Sequence, residues 1–152
     1  MSSKPAVLVL CTGNSARSQM AAASLARHLD REHPVHSAGT EPAERVHPLT
    51  ERVMTEVGVD LSDVRPRHVD EILGVIPVGT VIIVCDGANQ ACPTVPPGVY
   101  ERLFWPFEDP AAFEGSDDDK LAKFREIRDV IEQRVADWVG ARQAGAAGTG
   151  SL

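Results

Sequence analysis

The sequence predicts an α/β fold, a three-layer sandwich with a central, mainly four-stranded parallel sheet. Short apolar runs alternate with amphipathic segments along the chain. The run at residues 6–10 is apolar throughout, which is typical of a strand buried on both faces of a parallel sheet. Residues 80–84 form the most β-branched run, which also favours a buried strand. Because the strands alternate with helices, we expect a parallel sheet covered on both faces.

The remaining elements follow from the same periodicity. In chain order they are a helix at 18–29, a strand at 35–38, a helix that begins at Pro48, a short helix at 69–75 and a strand near 100–104. Pro48 suits a first helical turn, and Gly58 is the expected C-cap of that helix. A long final helix has one apolar face, formed by Leu121, Phe124, Ile127, Ile131, Val135 and Trp138.

Length, composition and charge limit the class of protein. The chain has 152 residues, a hydrophobic content of 43% and a formal net charge of -7. This size suits one domain, expected at residues 1–140, and the Gly- and Ala-rich residues 141–152 are expected to be a disordered tail. No apolar run reaches the roughly 20 residues of a membrane span, and the acidic balance disfavours nucleic acid. We expect a cytoplasmic monomer with neither a membrane nor a nucleic-acid partner.

The stretch AVLVLCTGNSARSQM joins the first strand to the first helix through a short polar loop. Such a loop can turn its amides around a tetrahedral oxyanion, and the helix N-terminus adds positive partial charge. Arg17 would clamp the oxyanion, and the same field would keep Cys11 a nucleophilic thiolate. The alternative is an inert buried cysteine beside a solvated arginine. The predicted oxyanion-binding residues are Thr12, Gly13, Asn14, Ser15, Ala16, Arg17 and Ser18.

The other two cysteines lie seven residues apart in a loop rich in glycine and proline. Three cysteines are too few, and odd in number, for a secreted disulfide framework. A bridge between Cys85 and Cys92 needs their Cα atoms within roughly 4.4–6.8 Å, so residues 86–91 would have to bend. Their small and polar side chains are compatible with bending. The alternative is that Cys85 is a packed strand residue and Cys92 an incidental thiol.

Four motifs, CTGNSARSQMA, HSAGTEP, CDGANQACPTVPP and FWPFEDPA, occur in this order. Together they resemble thioredoxin-coupled arsenate reductases of the low-molecular-weight protein tyrosine phosphatase superfamily. The loop from Cys11 to Ser18, called the anion loop below, is common to both branches of that superfamily. It therefore implies the fold and the oxyanion site. The resemblance implies a relay in which Cys11 attacks arsenate, Cys85 attacks Cys11, and Cys92 closes a disulfide with Cys85. External thioredoxin would reduce that disulfide, and no bound cofactor is implied.

Asp109 is the expected proton donor. A hydroxyl leaves a tetrahedral oxyanion more readily when it is protonated, and the resemblance gives this role to the aspartate of the Asp-Pro pair. Glu108, the preceding residue, is an alternative proton donor. Another alternative is that the Asp-Pro pair only forms a turn and takes no part in the reaction. Ala111 and Ala112 follow where the phosphatases usually have an aromatic residue, which favours a small inorganic oxyanion.

Two other functions stay open at this point. The first is a phosphatase that uses Cys11, Arg17 and Asp109 alone, and the second is a non-enzymatic redox sensor that binds an oxyanion. A metal enzyme is not expected, because the five histidines show no paired ligand spacing.

Overall fold

The computed structural model describes residues 4–29, 33–84 and 101–150. Within these ranges the sheet has four strands in the order β2-β1-β3-β4, and neighbouring strands are parallel. The strands are β1 at Ala6–Cys11, β2 at Val35–Gly39, β3 at Val78–Ile83 and β4 at Glu101–Phe104. Helices flank this sheet, so the predicted α/β fold with a four-stranded parallel sheet is confirmed.

The helices are α1 at Arg17–His28, α2 at Pro48–Thr55 and α3 at Asp117–Gly150. Pro48 occupies the first turn of α2, and Gly58 follows the helix in the left-handed conformation with φ 85°. The helix expected at 69–75 is reduced to one 3₁₀ turn at Val69–Glu71. That segment lies between two prolines, and so short a helix is marginal without extensive packing.

The last helix continues to Gly150, whereas the sequence suggests a disordered tail from residue 141. Alanine and arginine at positions 141 and 142 have high helix propensity, which is compatible with the longer helix. Residues 151 and 152 lie outside the described ranges. The single domain at residues 1–140 stays a prediction.

The core lies on the inner strands and the helices packed against them. Every residue of β1 and β3 is buried, as expected of strands covered on both faces of a parallel sheet. On α3, five of the six residues of the predicted apolar face are buried, and Trp138 packs partly buried against the same core. Of the helices, α1 contacts β1 and β2, and α3 packs against α1 and α2.

The carboxyl edge of the sheet brings three chain segments together. Cys11 at the end of β1 is in register with Gly39 at the end of β2. The chain leaving β4 stays close to β3, because the Trp105 N–H donates to the Ile83 carbonyl. Ligands of open α/β sheets bind at this edge. The fold thus places the anion loop beside the segments that follow β2 and β4.

Candidate active site

The loop from Cys11 to Ala16 turns most of its carbonyl groups outward. The carbonyl oxygens of Cys11, Thr12, Gly13 and Ser15 accept hydrogen bonds of 2.9–3.2 Å from backbone N–H groups of segment 40–47. In a trans peptide the C=O and N–H groups point in opposite directions, so the N–H groups that follow these carbonyls face inward. An inner surface of amides is the arrangement that binds tetrahedral oxyanions.

The sulfur of Cys11 lies within this loop. The Asn14 backbone N–H donates to Cys11 Sγ at 3.0 Å, and Ser18 Oγ is 2.8 Å from the same sulfur. Cys11 is 3% exposed, at the end of a buried strand. Hydrogen bonds donated to sulfur stabilise the thiolate, which is the nucleophilic form. This geometry suits Cys11 for attack on an anion held by the amides.

Asn14 determines how Ser18 is oriented. The Asn14 backbone has φ 53°, a left-handed conformation that asparagine tolerates. Its Oδ1 accepts the Arg67 backbone N–H at 2.9 Å, so its Nδ2 donates to Ser18 Oγ at 2.8 Å. With that oxygen acting as an acceptor, the Ser18 hydroxyl proton can point to Cys11. The sequence predicts Asn14 as an oxyanion-binding residue of the loop, and nothing in it indicates the contact with Arg67.

Gly39 allows β2 to approach the anion loop closely. A Cβ atom at this position would lie 2.3 Å from the Thr12 carbonyl oxygen and 3.2 Å from Asn14 Cβ. The first distance is shorter than any side chain tolerates, so only glycine fits without moving the loop. Gly39 lies within the quoted motif HSAGTEP, but sequence reasoning assigned it no role.

Arg17 links the anion loop to the segment after β4. One guanidinium nitrogen donates to the Phe107 carbonyl at 3.0 Å, and the other lies 3.6 Å from Asp109 Oδ2. The Arg17 side chain is 17% exposed and that of Asp109 is 41% exposed. Because α1 has neither a side-chain cap at Ala16 nor an acidic residue in its first turn, its N-terminus keeps its positive partial charge. The structure therefore brings Arg17 and Asp109 together at the edge of the anion loop.

The two neighbouring carboxylates of the motif FEDPA face different partners. Asp109 Oδ1 accepts the Ala111 backbone N–H at 3.0 Å, while its other oxygen faces Arg17. The carboxylate of Glu108 instead pairs with Lys123 of α3 at 3.2 Å. The geometry therefore favours Asp109 over Glu108 as the group that can reach a bound oxyanion.

His47 lies where the anion loop, α2 and α3 meet. Its backbone N–H donates to the Ser15 carbonyl, and its Nδ1 accepts the Leu49 N–H and caps α2. Its ring packs against Phe124 with centroids 4.8 Å apart. Burial lowers the pKa of His47 below its ordinary value, and Asp109 opposes this effect. A neutral His47 keeps the lone pair that the cap requires.

Two predicted site residues, Cys85 and Cys92, lie outside the described residues. Among residues 4–29, 33–84 and 101–150, no three His, Cys, Asp or Glu side chains gather into a metal-ligand set. Within the same ranges no helix combines the length and the apolar character of a membrane span.

Comparison with known sequences shows the family of the chain. Residues 6–146 match the family described as low molecular weight phosphotyrosine protein phosphatase. The chain belongs to this family. It is 40% identical over 132 residues to an arsenate reductase of Halalkalibacterium halodurans, across 87% of this chain and 93% of that protein. It is 41% identical over 134 residues to an arsenate reductase of Bacillus licheniformis, across 88% of this chain and 94% of that protein.

A solved structure in the same family has a similar fold. The thioredoxin-dependent arsenate reductase of Corynebacterium glutamicum superposes with a TM-score of 0.67 at 30% identity, across 93% of this chain and 63% of that one. The resemblance inferred from the four motifs, to arsenate reductases of the phosphatase superfamily, is thereby confirmed.

Proposed function

We propose that this protein reduces arsenate to arsenite, with Cys11 as the nucleophile and thioredoxin as the external reductant. The observation that carries the proposal is that Cys11 Sγ accepts the Asn14 amide and lies 2.8 Å from Ser18 Oγ, inside a loop whose carbonyls are bonded outward. The similar proteins named arsenate reductases support the choice of oxyanion. Arsenate is tetrahedral and anionic, as this loop requires.

In the first step the Cys11 thiolate attacks arsenic. An S–As bond forms and an As–O bond breaks, and the departing hydroxyl takes a proton from Asp109 and leaves as water. Asp109 is placed for this role because its carboxylate lies 3.6 Å from the Arg17 guanidinium, at the edge of the anion loop where the leaving hydroxyl would depart. The product is a thiol–arsenate adduct that still contains As(V).

Cys85 and Cys92 lie outside the described residues, so the roles of these two thiols in the later steps are taken from the resemblance. The Cys85 thiolate attacks Cys11 Sγ, an S–S bond forms, and the S–As electron pair stays on arsenic, which leaves as arsenite. Cys92 then attacks Cys85 and releases Cys11. The net reaction converts arsenate and two thiols to arsenite, one disulfide and water, and thioredoxin returns the disulfide to two thiols.

We also propose that the enzyme is a cytoplasmic monomer. Thiols stay reduced in the cytoplasm, which a thiol relay requires. In this proposal the electrons come from external thioredoxin, and the protein needs no bound cofactor.

The test is a coupled assay with NADPH, thioredoxin reductase and thioredoxin, started with arsenate. We expect arsenate-dependent NADPH oxidation with one arsenite formed per NADPH. Cys85→Ser and Cys92→Ser are expected to abolish this turnover while leaving any slow hydrolysis of an aryl phosphate intact. Absence of arsenate-dependent oxidation in the wild type would overturn the proposal. Phosphate hydrolysis alone would indicate a phosphatase, and no multiple turnover with any reductant would indicate a redox sensor.

A further inference from the structure

The loop that carries Asp109 has a cavity behind it. Pro110 and Ala111 of its 3₁₀ segment, Pro110–Ala112, line a cavity of about 400 Å³ that also borders α3. Groups that face a cavity lose the contacts that dense packing would provide. Pro110 itself is buried, so the position of Asp109 depends on this packing and on the contacts made by the residues before and after the segment.

Lys123 of α3 contacts both ends of this loop. Its Nζ lies 3.2 Å from the Glu108 carboxylate, directly before Asp109. The same ammonium lies over the ring of Phe113 at 5.2 Å from the centroid, directly after the 3₁₀ segment. The Lys123 side chain is only 17% exposed, although its carboxylate partners are more open to solvent. One charged group thus spans the turn that presents Asp109.

The contacts of Lys123 also affect the charge near the site. The Lys123 ammonium donates hydrogen bonds to the carboxylates of Glu126 and Glu108, and these bonds raise the pKa of Lys123, so the side chain stays cationic at neutral pH. Pairing with this cation reduces the repulsion that Glu108 would exert on an entering oxyanion. It also keeps Glu108 turned away from Arg17, which leaves Asp109 as the nearer carboxylate.

We propose that Lys123 is a positioning residue that holds Asp109 over the anion loop by fixing Glu108 and Phe113 on either side of it. This inference rests on the proposed role of Asp109 as proton donor. A displacement of about 1 Å at a catalytic group can slow a reaction substantially. Lys123 acts through Asp109 and has no contact with the reacting atoms.

The chain offers a matched control on the same helix. Lys123 forms a second ion pair with Glu126, one turn further along α3, at 2.9 Å. Glu126→Gln removes that pair and leaves both contacts to the Asp109 loop in place. Lys123→Gln removes the charge from all of these contacts, and Lys123→Arg retains a cation.

The first experiment measures arsenite released in a single turnover by reduced enzyme in excess over arsenate. We expect Lys123→Gln to slow release about five-fold, the scale of a partly exposed ion pair. Lys123→Arg should restore most of the rate, and Glu126→Gln should match the wild type. In an Asp109→Asn background, Lys123→Gln should have no further effect. An equal further loss there would overturn the proposal, because a general structural defect would act in both backgrounds.

The second experiment does not depend on activity. Amide hydrogen exchange reports the hydrogen bonds of the loop, in which the Ala111 N–H donates to the Asp109 side chain and the Ala112 N–H to its carbonyl. We expect faster exchange of these amides in Lys123→Gln and no change in Glu126→Gln. Unchanged exchange in Lys123→Gln would overturn the proposal. Faster exchange in Lys123→Gln, together with no arsenite release by the wild type, would instead refute the proposed function and leave the structural role of Lys123 intact.

Discussion

The anion loop and the Asp109 loop meet at one sheet edge but are held in different ways. The residues of the anion loop are buried or half-buried, and a row of backbone hydrogen bonds from segment 40–47 fixes its outward carbonyls. The Asp109 loop is half-exposed, borders a cavity and depends on ion pairs made by Arg17 and Lys123. Backbone bonds between buried groups fix geometry firmly, whereas exposed ion pairs are weak. The part that we propose to bind the oxyanion is thus held by more hydrogen bonds than the part that we propose to supply the proton.

The largest effect is expected from removing the proton donor. Asp109→Asn keeps an oxygen that can accept the Ala111 N–H, but it cannot protonate the leaving hydroxyl. Single-turnover arsenite release should slow by at least about 100-fold, within the range for general acid catalysis. Glu108→Gln, the neighbouring control, should slow release no more than about five-fold because it removes only an ion pair. Similar losses in both variants would contradict the assignment of Asp109.

A loss of similar size, in this case of arsenate affinity, is expected from displacing the anion loop. In Gly39→Ala the new Cβ would meet the Thr12 carbonyl oxygen, so the loop must shift. We expect arsenate to bind about 100-fold more weakly, since small displacements of anchoring groups are costly, and calorimetric titration measures this. Gly140→Ala in α3 is the control, because open space surrounds its new methyl group. Wild-type affinity in Gly39→Ala would show that the loop tolerates displacement.

Within the anion loop, the hydroxyl of Ser18 can be removed without moving the backbone. Ser18→Ala deletes a hydrogen bond to the Cys11 sulfur. Loss of a hydrogen bond to a charged group lowers a reaction rate by roughly 10- to 100-fold. Single-turnover arsenite release and alkylation of Cys11, followed by peptide mass spectrometry, should both slow. Ser24→Ala on the same helix is the matched control, because that hydroxyl bonds to Glu132. Equal rates for the two variants would argue against thiolate stabilisation by Ser18.

The smallest effect is expected at His47, between the two regions. The folded state lowers its pKa below the ordinary 6.5, mainly by burial, so the unfolded state binds the proton more readily. This contribution to stability is complete above about pH 6.5 and decreases as the pH falls through the lowered pKa. Urea unfolding from about pH 7.5 to about pH 5 should show a smaller decrease for His47→Asn, which keeps a cap acceptor. The same decrease in both proteins would exclude His47 as its source.

Much of the site could be predicted because it is contiguous in the chain. The apolar strand, the loop with Gly13 and Asn14, and the helix behind Arg17 follow one another directly, so local propensities indicate them. The same applies to the alternation of strands and helices and to the apolar face of α3. The relay of Cys85 and Cys92 follows only from resemblance and stays a proposal.

The tertiary structure decided which groups fix these local elements in place. Arg67 orients Asn14 from 53 positions away, and Gly39 makes room for the anion loop from the next strand. Lys123 separates Glu108 from Asp109, two adjacent carboxylates that the sequence alone leaves as alternatives. Such contacts join residues that are distant in the chain, and no local pattern encodes them. The sequence by itself determined the chemistry of the loop, and packing across the sheet edge determined the orientation of each reactive group.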